Sequence, residues 1–161
     1  METVSVFYTA KTRVYSKLIL SLFTLLFTAC NDHMLFHQYV PIASEGWTRT
    51  DTVLFTLPPA PAEEDCQLYL GLRYGNTFPY EGIWIVVETE LQHPSSVHSD
   101  TIYFTTTEKS KQGILFNQQE KLVRTLHLHP SQQGTIRLHH VMNRETMPAI
   151  TDIGIRFTTQ H

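Results

Sequence analysis

From Trp47 onward the chain is written mostly with a period of two. Val53, Phe55 and Leu57 fall on one side of a run whose other side carries Thr50, Thr52 and Thr56. Leu68, Leu70, Leu72 and Tyr74 repeat the period within Gln67 to Tyr74. Alternation of this kind, rich in β-branched and aromatic residues, predicts half-buried strands. Ile83 to Leu91 is apolar on both sides, with Ile83, Ile85, Val87 and Leu91 against Trp84 and Val86, which predicts a central strand. Further strands are expected at Asp100 to Thr107, Leu122 to His129 with Leu126 and Leu128 inward, Gly134 to Met142, and Ile150 to Thr159. Between them lie the Pro58 to Asp65 loop, a turn from Gly75 to Pro79, a polar loop at Gln92 to Ser99 and an irregular stretch at Glu108 to Glu120. Asn143 to Ala149 reads as one helical turn stopped by Pro148. About seven or eight short strands at regular spacing predict an all-β fold, an antiparallel β-sandwich of jelly-roll type.

One stretch breaks this pattern. Leu18 to Ala29 is apolar, follows Lys11, Arg13 and Lys17, and ends at Cys30. A run of this length matches the core of an export signal and falls short of the roughly 20 residues of a spanning helix. Thr28 and Ala29 are the small residues that a lipoprotein peptidase needs before its cysteine, although Phe27 stands where leucine is usual. An ordinary cleaved signal and an uncleaved anchor are the competing readings. The lipoprotein reading divides the chain into a signal peptide (1–29), a lipidated tether (30–44) and a β-sandwich domain (45–161). Cys30 is then the lipidation site, and the membrane is reached through its acyl chains. Asn31 follows Cys30, so no inner-membrane retention aspartate stands there; the expected location is the outer membrane, facing the periplasm.

Charge adds little to this picture. Removing Lys11, Arg13, Lys17 and Glu2 takes the 12 Lys and Arg to 9 and the 15 Asp and Glu to 14, a net charge of −5. A mildly acidic domain has no electrostatic footprint for nucleic acid. Of the two cysteines, a lipidated Cys30 leaves Cys66 without an intramolecular partner, and Cys66 reads as a small apolar residue.

No catalytic constellation emerges: there is no nucleophile elbow, and no cofactor motif is present. His127 and His129 share one face of a strand, and His139 lies on the next; together they are weak metal candidates, with no carboxylate close in sequence. Weak binding candidates are Trp84, which offers a sugar-stacking aromatic, and Arg73 and Tyr80, which flank the Gly75 to Pro79 turn. Arg73 is expected to hold that turn in place.

Several blocks in order carry a resemblance. They are Cys30; Tyr39; Trp47-Thr-Arg-Thr-Asp51-Thr-Val-Leu-Phe55; Leu70-Gly-Leu-Arg73-Tyr; Phe78-Pro79-Tyr80; Ile83-Trp-Ile85; Asp100-Thr101; and Val141 through Arg156. The chain resembles the GldH-type gliding-motility lipoproteins of Bacteroidota. One departure is Lys111-Gln-Gly113-Ile-Leu-Phe116, where the family usually carries a Gly-x-Trp-x-Gly-type stretch. The resemblance implies a non-enzymatic membrane lipoprotein working with envelope proteins of the gliding and secretion machinery. The alternative is an envelope glycan-binding lipoprotein built on the same sandwich.

Overall fold

The computed structural model describes residues 34–106 and 116–159. These residues form strands and turns without a helix. The strands are β1 (Met34–Pro41), β2 (Trp47–Thr48), β3 (Val53–Leu57), β4 (Glu64–Gly75), β5 (Gly82–Gln92), β6 (Ser96–Thr105), β7 (Phe116–Leu128), β8 (Gln133–His140), β9 (Thr146–Met147) and β10 (Ile150–Thr159).

The long strands make two four-stranded sheets, ordered β1-β10-β4-β7 and β3-β8-β5-β6, with β2 and β9 as a small ribbon. Every pairing is antiparallel. With the two-residue strands set aside, this interleaved order is that of a jelly roll, two Greek keys folded into one sandwich. Alternation explains the core. Leu68, Leu70, Leu72, Ile153, Ile155 and Phe157 face inward from one sheet; Phe55, Ile83, Ile85, Val87, Ile136 and Leu138 face them from the other. Burying each such side chain stabilises the fold by about 1.5–3 kcal/mol.

The β6 and β7 edges are stitched together by polar side chains. Between Leu68 and Tyr69 of β4 the pairing with β7 slips, which switches the facing of β7 residues at Val123. Gln119, Lys121 and Arg124 can then all reach β6. Gln119 Nε2 donates to the Thr105 carbonyl at 2.8 Å and Lys121 Nζ to the Tyr103 carbonyl at 2.8 Å. Arg124 makes a two-pronged contact with Asp100, at 2.6 and 2.8 Å. Polar side chains directed across an edge in this way occupy groups that would otherwise recruit another strand.

Four expectations change. Met34–Pro41 lies within the expected tether yet pairs with β10 over Met34 to Pro41, because Tyr39 and Val40 find packing partners on that sheet. Thr146–Met147 is a strand and not a helical turn; Met147 is fully buried beside Trp47. The Gln92 to Ser99 loop shrinks to a tight turn at residues 93–95, with β6 starting at Ser96. Phe116 to Glu120 opens β7 instead of ending an irregular loop. The signal peptide, Cys30 and Lys111 to Leu115 lie outside the described residues.

Candidate functional site

The outer face of the β1-β10-β4-β7 sheet carries an organised polar cluster at its middle. Tyr39, Gly154, Gly71 and Glu120 are register partners in a row across all four strands. The two glycines clear a track for the Tyr39 ring. A Cβ at Gly154 would come within 2.6 Å of Tyr39 Cγ, and one at Gly71 would overlap the Tyr39 hydroxyl. An aromatic ring laid over strand glycines restores the packing they lack.

Two arginines flank the ring. The Arg73 guanidinium sits 4.0 Å from the centre of the Tyr39 ring, and its Nε donates to Gln118 Oε1 at 2.9 Å. Arg156 stacks on Tyr69 at 4.2 Å and donates to Glu120 Oε2 at 2.9 and 2.8 Å. Tyr39 Oη donates to Glu120 Oε1 at 3.3 Å. Burial, and then the Glu120 charge, pushes the Tyr39 phenol up to about 12. It therefore stays a neutral donor at physiological pH. Glu120 is held by Arg156, whereas Arg73 forms no ion pair among the described residues. Arg73 is thus a cation held between aromatic rings, Tyr39 and Phe116, and open to an acidic or polar partner. It does not brace the Gly75 to Pro79 turn as expected; there Asn117 Nδ2 donates to Asn76 Oδ1 at 2.9 Å.

The histidines divide. His127 and His129 come together with their rings 5.1 Å apart. His139 lies opposite Val86 in the other sheet, because β7 and β8 do not pair and the chain crosses between sheets at the turn joining them. The carboxylates missing from the local sequence arrive from the start of β4. His127 Nδ1 lies 2.8 Å from Asp65 Oδ1, and its Nε2 lies 3.1 Å from Glu63 Oε1. The Asp65 contact, then that of Glu63, raises the His127 pKa.

Trp84 is 46% exposed and packs on Tyr103 with ring centres 4.6 Å apart. Tyr80 is used structurally: its carbonyl accepts from Thr106 Oγ1 at 2.6 Å, and its ring meets Phe78 edge-on at 5.6 Å. An apolar groove of about 310 Å³ opens beside the start of β1, lined by Met34, Leu35, Phe36, Leu57, Ala60 and Phe157 among others. Buried His140 donates from Nε2 to the Trp47 carbonyl at 3.0 Å, and burial lowers its pKa.

Residue reasoning alone did not single out Glu120, Glu63 or Asp65. A surface carboxylate carries no local signal; its partners lie far away in sequence. The spacing of Gly71 and Gly154 among larger alternating residues was the available clue.

The family model described as GldH lipoprotein matches residues 34–157. The gliding motility lipoprotein GldH of Flavobacterium johnsoniae is 23% identical over 157 residues, covering 89% of this chain and 96% of the relative. Among solved structures, dimeric latent PorU from Porphyromonas gingivalis matches with a TM-score of 0.36 and 11% identity, over 83% of this chain and 14% of that one. The VP2 subviral particle of infectious bursal disease virus matches with a TM-score of 0.36 and 14% identity, over 83% of this chain and 31% of that one. The family match spans β1 to β10 and takes in the Tyr39, Gly71, Arg73, Gly154 and Arg156 cluster, so the chain belongs to the GldH lipoprotein family.

Proposed function

We propose that this chain is a non-enzymatic, lipid-anchored accessory or assembly component of gliding-motility and associated secretion machinery. It is held in the outer membrane by acyl chains on Cys30 and faces the periplasm. Its interaction surface is the outer face around Arg73 and Tyr39. The observation that carries this reading is the Arg73 guanidinium, stacked 4.0 Å over Tyr39 on a solvent-facing sheet and without a carboxylate partner among the described residues.

Geometry supports a close tether. Three residues, Asn31 to His33, lie between Cys30 and Met34, the first residue of β1, so four Cα–Cα steps join them. Those four steps reach at most about 14 Å, so lipidation at Cys30 would keep the sandwich beside the leaflet. Tethering at that range raises the effective concentration of Arg73 near membrane partners. Cys66 does not look like a nucleophile: it is fully buried, and burial pushes its thiol up to about 11.

Membrane fractionation with mass analysis of the mature N-terminus tests the anchor. Wild-type protein is expected in the membrane fraction with acylated Cys30 as its first residue, and Cys30→Ala as unlipidated precursor. A wild-type protein released without lipid would rule the anchor out.

A second reading, binding of envelope glycan, is favoured by exposed Trp84, which packs on half-buried Tyr103. Its test is retention on envelope polysaccharide, which Trp84→Ala should abolish; equal retention of the variant would dismiss it.

A further inference from the structure

We propose that Glu63, His127 and His129 form a binding site for a divalent transition metal of the zinc type, with Asp65 orienting His127. This goes beyond the anchoring role and uses a different part of the sandwich, where β4 begins and β7 ends.

One donor atom from each of Glu63, His127 and His129 lies within 4.8 Å of the other two. His127 Nε2 is 3.1 Å from Glu63 Oε1, and His129 Nδ1 is 3.9 Å from the same oxygen. Tetrahedral zinc with bonds of about 2.1 Å needs donors roughly 3.4 Å apart, so small side-chain rotations suffice. Two histidines and one glutamate are a recurrent zinc donor set that leaves a fourth position open.

Asp65 supplies the second observation. Its Oδ1 lies 2.8 Å from His127 Nδ1, a contact that orients the ring and turns Nε2 toward Glu63. Ligating histidines are commonly oriented by an outer carboxylate in this way.

Backbone placement favours a stable arrangement. His127 and Asp65 are register partners on paired strands, and the His129 backbone N–H donates to Gln132 Oε1 at 3.0 Å. The three ligands therefore hang from an ordered strand end and its turn.

The test is calorimetric titration of the detergent-solubilised full chain with zinc chloride alone. The expected result is saturable uptake. His129→Ala and Glu63→Gln should each weaken it at least tenfold, and Asp65→Asn by about 10–100-fold, the usual effect of losing an outer-shell partner. His139→Ala, in the other sheet, should leave the affinity unchanged. Thermal melts without metal establish that each variant is folded. No saturable uptake by the wild type, or uptake equal to wild type in folded His129→Ala, would overturn the site.

Discussion

Tyr39 on β1 donates its hydroxyl to Glu120 on β7, at 3.3 Å, from the opposite edge of a four-stranded sheet. The two residues meet only because Gly154 and Gly71 stand between them in register. The row ties the first strand of the domain to the far edge of its sheet and places Arg73 over the ring.

Gly154→Ala tests this arrangement. The new Cβ would fall within 2.6 Å of Tyr39 Cγ and 2.8 Å of the Gln38 carbonyl oxygen. Urea denaturation should show a loss of about 1–3 kcal/mol, typical of overpacking. The same substitution in a Tyr39→Ala background should cost less, by more than about 0.5 kcal/mol, because neighbouring sites do not add. Full additivity would mean that the ring does not occupy the glycine track.

A second expectation concerns the seam between the sheets. Arg124 holds Asp100 with two hydrogen bonds, and their side chains are only 28% and 19% exposed. Arg124→Lys keeps the charge and loses the fork. It should cost about 1–2 kcal/mol, a charge-assisted bond discounted for partial exposure. Hydrogen exchange should quicken in β6 while β3, on the opposite edge of the same sheet, keeps its protection. Equal protection in β6 would show that the seam is ornamental.

Two histidines should bend the pH profile of stability in opposite directions. Burial lowers the His140 pKa below its ordinary value of 6.5. Its contribution is complete above about pH 6.5 and is lost as pH falls through the lowered folded value, because the unfolded chain then binds the extra proton. The His127 pKa is raised, first by Asp65 and then by Glu63. Its contribution is complete below pH 6.5 and is lost as pH rises through the raised value. Stability measured against pH should therefore lose its acid-side decline in His140→Leu and its alkaline-side decline in His127→Ala. Unaltered profiles would contradict both assignments.

Much of the sandwich was legible in the sequence, since Val53, Phe55 and Leu57, or Leu68, Leu70 and Leu72, alternate cleanly and face one core. β1 was not, because Met34 to Pro41 has two adjacent half-buried pairs and no period of two. The slip at Val123 likewise hides the inward reach of Gln119 and Lys121. For the histidine corner, the His127 and His129 spacing was visible, while Asp65 and Glu63 lie 62 and 64 residues away in sequence. His139 misled because consecutive strands need not pair; β7 and β8 belong to different sheets. The Arg73 and Tyr39 contact depends on strands far apart in the chain, which no local pattern encodes.

The most direct test of an anchored docking surface is photo-crosslinking in the native envelope, with a photoreactive residue replacing Arg73. Anchored docking predicts a discrete adduct with another envelope protein that disappears when Cys30→Ala is added. An adduct no stronger than one formed from exposed Val97, on the edge strand of the other sheet, would contradict it.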